Sequence, residues 1–126
     1  MAGRQKDELL GLLEQARELA KMESTAQQVI LVKTAKGNVY HVSNRDVERG
    51  ADEDGLLRQL RDGEDTQVQA VACMWKEGGA LDVPSIRFRQ LLLELDSRNG
   101  DALLPLQGEN TLKARTLWET MPGMRT

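Results

Sequence analysis

Apolar residues recur at three- and four-residue steps through Leu9, Leu12, Leu13, Ala16, Leu19 and Ala20, with Glu14, Gln15, Arg17 and Glu18 between them. That spacing lays one apolar stripe along a helix and predicts it over residues 6–22. The pattern then changes. Residues 28–34 carry the run Val29-Ile30-Leu31-Val32, which has no helical period and reads as a strand covered on both faces. Ala35-Lys36-Gly37-Asn38 supplies turn chemistry, and residues 39–43 complete a hairpin. Residues 44–55 are polar, rich in Asp, Glu and Gly, and have no apolar period. Leu56, Leu57 and Leu60 give a short helical face that stops at Asp62-Gly63.

Residues 66–75 read as the central strand, with Val68, Val71, Cys73 and Trp75 spread over both faces. A glycine-containing loop over 76–83 leads to Pro84 and Ser85. There a helix starts, because proline fits the first turn and serine can cap it. Phe88, Leu91, Leu92 and Leu95 form its buried stripe as far as Asp96. A turn at 97–101 precedes strands over 102–106 and 112–116, and residues 117–121 close as a helical turn. Pro105 points to an edge or irregular place for the first of these strands. The order α-β-β-α-β-α-β-β predicts a single α/β domain over residues 1–126, with helices on a mixed sheet.

Composition narrows the classes further. In 126 residues, 40% are hydrophobic and 29% charged, the balance of a soluble domain with one core. A net charge of −3, from 17 basic and 20 acidic residues, gives no electrostatic footprint for nucleic acid. No apolar run approaches the roughly 20 residues of a membrane span, and the opening Met1 to Asp7 is polar, so neither membrane insertion nor secretion is expected. One cysteine cannot form an internal disulfide, which fits the cytoplasm.

Several strings resemble the free-nucleoside cytidine deaminases. Ala16-Arg17-Glu18-Leu19-Ala20 is similar to the family's opening helix, and Gly37-Asn38-Val39-Tyr40 to its hairpin. Asn44-Arg45-Asp46 falls where the family holds the nucleoside ribose. Val68 to Leu95 resembles its strand, glycine loop and P-C-G-A-C-R-Q helix, and Thr116 to Gly123 its closing segment. The resemblance implies a three-layer α/β/α sandwich with a mixed five-stranded sheet. It also implies a homo-oligomer, a dimer or tetramer.

The family's chemistry needs three zinc ligands, an open position for the attacking water, and a glutamate that moves protons. The two cysteine positions match Ser85 and Phe88, and the remaining ligand and acid match Gly50-Ala51-Asp52. This last placement follows from the distance between Ala51 and Gly63, equal to that from the family's alanine to its next glycine. Glycine and phenylalanine offer no ligand atom, and a serine hydroxyl is a poor one. The expected cofactor is therefore none. The one histidine, His41, and the one cysteine, Cys73, are predicted mid-strand without partners at ligand spacing. Asp52, Glu53 and Asp54 read as a solvated helix start, with a carboxylate metal site as the weaker alternative.

Three functions stay open. The first is a catalytically inactive deaminase-like protein retained for binding or assembly. The second is a metal-free enzyme that reuses the nucleoside pocket on a small heterocycle, with Asp52 moving the proton and Arg87 or Arg89 stabilising negative charge. The third is a genuine deaminase. Ligand-binding candidates are Asn44, Asp46, Ser85, Arg87 and Arg89, for a nucleoside or an anionic small molecule at the helix start. The competing account of that start makes Ser85 a cap, pairs Arg89 with an acid such as Asp52, and leaves Arg87 in solvent. Nucleic acid and membrane are not expected partners.

Overall fold

The computed structural model describes residues 3–46, 51–108 and 111–123. The apolar stripe of the first segment forms α1 (Gly3–Met22), and the β-branched run forms β1 (Gln28–Thr34). Gly37, at φ 90°, makes the turn into β2 (Val39–Asn44). Helix α2 (Ala51–Asp62) precedes β3 (Val68–Trp75), and the two-residue β4 (Leu81–Asp82) leads to α3 (Ile86–Leu95). A 3-10 turn at Ser97–Asp101, strands β5 (Leu103–Gln107) and β6 (Leu112–Thr116), and a second 3-10 turn at Trp118–Thr120 complete the order.

The sheet runs β2-β1-β3-β5-β6, with β4 added beside the end of β3. Only β3 and β5 are parallel; the other pairs are antiparallel. Helix α1 packs Leu9, Leu12, Leu13 and Ala16 on one face, against Val29, Leu31, Ala70 and Ala72. Helices α2 and α3 cover the other face, where Leu56, Leu60, Phe88 and Leu92 meet Ile30, Val32, Val71 and Cys73. This is the expected three-layer sandwich, and β1 and β3 are apolar on both sides because helices lie on both.

Three local expectations change. Strand β4 falls inside the stretch read as loop, since two residues leave no periodic signature. Helix α2 begins at Ala51, well inside the polar stretch over 44–55. Of the edge or irregular place expected for Pro105, the edge falls away, because β5 lies between β3 and β6, and the irregular place holds. Among the described residues β5 meets β3 at one parallel bridge, Ala70 to Leu103. Pro105 thus sits beyond that bridge, opposite Ala114 of β6, and its missing N–H interrupts no β3 bond.

A bulge shapes the start of β3. Lys33 pairs with Ala70 and Thr34 with Val68, so Gln69 has no partner on β1. The extra residue turns Val68 into the core under α2 and α3, while Ala70 stays on the α1 face. Asn99 closes the adjoining end. Its Oδ1 accepts from Val68 N at 2.7 Å, and its Nδ2 donates to the carbonyls of Thr66 and Leu92, each at 2.9 Å. Among the described residues no helix is long and apolar enough to cross a membrane.

Candidate functional site

The starts of α2 and α3 converge. Ser85 has extended backbone and caps α3, its Oγ accepting from the Phe88 N–H at 3.1 Å. The same hydroxyl donates to the Glu53 carboxylate, with Oε1 at 3.0 Å and Oε2 at 3.1 Å. Glu53 is only 2% exposed. Burial raises its pKa above the usual glutamate value, although the bonds from Ser85 pull the other way.

Each acid of the α2 first turn has its own direction. Asp52 is half-exposed and accepts from the Arg45 backbone N–H at 3.0 Å. Asp54 pairs with the exposed Arg87 at 2.8 Å. Glu53 alone of the three turns inward and reaches Ser85, whereas Asp52, the candidate proton carrier, is bonded to the Arg45 N–H. The signal was present in the sequence: Glu53, Leu56, Leu57 and Leu60 stand at i, i+3, i+4 and i+7, one helical face.

Phe88 is fully buried and belongs to the core with Leu56, Leu92 and Cys73. Arg89, 9% exposed, donates through Nε to the Pro84 carbonyl at 2.9 Å and through a terminal nitrogen to the Thr120 carbonyl. It ties the closing 3-10 turn to the start of α3, where pairing with Asp52 was one expectation. Burial lowers its pKa from the ordinary arginine value. Of the proposed anion-binding arginines, one is therefore held by carbonyls and the other by Asp54.

Asn44 ends β2 fully buried, its Nδ2 3.4 Å from Gln28 Oε1, and among the described residues its Oδ1 has no hydrogen-bond partner. Asp46 is exposed beyond the strand, and Gly50 lies outside the described residues. His41 is exposed on β2. Cys73 is buried, and burial first, then Asp82 and Glu53, push its thiol far above the ordinary value. It is a neutral packing group.

With this geometry in place, solved structures can be compared. A crystal structure of cytidine deaminase from Burkholderia pseudomallei matches with a TM-score of 0.64 and 16% identity, over 91% of this chain and 98% of that one. This chain has a cytidine deaminase-like fold. A mutant cytidine deaminase from Mycobacterium tuberculosis matches with a TM-score of 0.54 and 21% identity, over 79% of each chain. No protein-family model and no curated protein matches the sequence.

The residues at the Ser85 corner do not fit a zinc ion. Phe88 presents a buried ring, and the Ser85 hydroxyl is committed to Glu53 and to the Phe88 N–H. Among the described residues no three His, Cys, Asp or Glu side chains are grouped to hold a metal, the acids at 52–54 included. What the corner can do is hydrogen bond: it offers one buried carboxyl group with a raised pKa, joined to one hydroxyl.

Proposed function

We propose that this protein is a pseudoenzyme, a deaminase-like scaffold that acts through binding or assembly and carries out no zinc-dependent hydrolysis. The reading rests on the Ser85–Glu53 pair. It joins the two helix starts directly, where a deaminase would need an open, metal-held water. A fold can outlast its chemistry because different residues carry the packing and the reaction. On this reading the scaffold forms a homo-oligomer. The free, buried Cys73 suits a reducing compartment such as the cytoplasm.

The test is metal analysis of the purified protein beside an assay for uridine release from cytidine. We expect zinc far below one ion per chain and no turnover. Stoichiometric zinc or uridine formation would overturn the proposal.

A second reading is favoured by the Asn44 Oδ1, which lacks a partner among the described residues and is an acceptor that a nucleoside hydroxyl could satisfy. On this reading a metal-free enzyme acts on a small heterocycle, with Glu53 taking the role first given to Asp52. A compound that turns over with the native chain and not with Glu53→Gln would favour it.

A further inference from the structure

A cavity of about 710 Å³ opens beside the first residues of β3, whereas the Ser85 corner adjoins the last ones. Its apolar floor is Leu9, Ala70 and Leu103, all on the α1 side of the sheet. The bulge builds one wall, since it sends Val68 toward the core and leaves Gln69 lining the opening. Around the floor stand Gln5, Lys33, Gln67, Gln69 and Asp101, whose side chains make no hydrogen bond or ion pair among the described residues. A concavity with an apolar floor and polar groups free to bond at its rim has the general form of a ligand site.

The chemistry of the lining selects the ligand. Among the described lining residues two cations, Lys33 and Arg98, face two anions, Glu8 and Asp101, so a purely cationic or purely anionic ligand meets a like charge. Arg98 is already held by Asp96 through its Nε and a terminal nitrogen, at 3.0 and 2.7 Å, which leaves Lys33 as the cation for a carboxylate. Each of the three glutamine carboxamides offers a donor and an acceptor, the complement of a peptide group. No aromatic ring lines the cavity, so a flat base has nothing to stack on.

We infer that this cavity binds a short peptide with both termini free and an aliphatic side chain. Lys33 takes the terminal carboxylate and Asp101 the terminal ammonium. The glutamines take the peptide group, and Leu9 and Leu103 take the side chain. The volume suits two or three residues better than a single amino acid.

The test is an NMR titration of the labelled full chain with the dipeptide alanyl-leucine, beside the same dipeptide acetylated and amidated at its ends. We expect saturable shifts at the amides of Gln67, Gln69, Ala70 and Leu103 with the free dipeptide only. Lys33→Met and Asp101→Asn should each weaken binding by about three- to tenfold, the worth of one charge-assisted bond. Asp101 is exposed in a turn, so its variant keeps the test open if Lys33→Met fails to fold. No saturation by about 10 mM, a range in which even Kd values of 1 mM register, would overturn the inference. So would equal binding of the blocked dipeptide, or shifts confined to the Ser85 corner.

Discussion

The Ser85 hydroxyl lies 3.0 Å from one Glu53 carboxylate oxygen and 3.1 Å from the other, and the same oxygen caps α3 through the Phe88 N–H. One side chain therefore serves two helix starts. It gives a buried acid a partner and gives an orphan helix donor an acceptor.

Removing that hydroxyl should cost more than an ordinary cap. We expect Ser85→Ala to lose about 2–4 kcal/mol, a cap of roughly 1 kcal/mol plus a buried acid left without its donor. Ser85→Thr, which keeps the hydroxyl, should lose much less. Urea unfolding of both variants measures the difference, and equal stabilities would contradict the dual role.

Glu53 sets a pH dependence of known sign. Because burial raises its folded-state pKa, its contribution is fully present below the ordinary glutamate value and is lost as pH rises through the folded value. Glu53→Gln removes the ionisation. Its Tm should rise relative to the native chain as pH climbs from about 4 toward neutrality. A constant Tm difference across that window would show that Glu53 does not titrate abnormally.

Phe88 is expected to behave as a core ring. Phe88→Ala should cost about 3–5 kcal/mol in denaturant unfolding, and Phe88→Leu clearly less. A loss below about 1 kcal/mol for the alanine variant would mean that the ring does not fill the space between α3 and the sheet.

Asp65 and Asp96 are among the carboxylates that carry acid sensitivity. At Asp65 burial opposes ionisation, but hydrogen bonds from Asn38, Thr34 and Tyr40 outweigh it and hold the pKa below the usual range. At Asp96 the Arg98 side chain, against some burial, and bonds from the Arg98 N–H and Thr66 bring it to about 2. Both contributions are present above the ordinary aspartate value and are lost as pH falls through the depressed ones. Carboxyl NMR should find Asp96 titrating last. Asp65→Asn should lose about 1–3 kcal/mol at neutral pH and less in acid.

Most of the fold was legible because the elements that make it are long enough to be periodic. The stripe from Leu9 to Ala20, the run from Val29 to Val32 and the capped start at Ser85 each point to one structure, and the strand order and layers follow. Asn99 was not legible. It sits in a stretch that reads as plain turn, yet its three bonds join β3, α3 and the segment before β3 through tertiary approach alone. At the candidate site Ser85 and Phe88 were readable by spacing. Glu53 keeps the spacing of the buried leucines yet reads as surface, because glutamates are so rarely buried that an acidic triplet reads as solvated.

The position of Phe88 also bears on what this corner can become. To place a thiolate at 88, the chain would have to give up a fully buried ring of the core under α2 and α3, and the resulting void would cost about as much as a small domain can spare. A bound cation could repay that loss only after every other ligand was in place. Descendants of this sequence would thus have to pass through weakly folded intermediates before any metal chemistry at this corner, a barrier that holds them to whatever role the filled scaffold has.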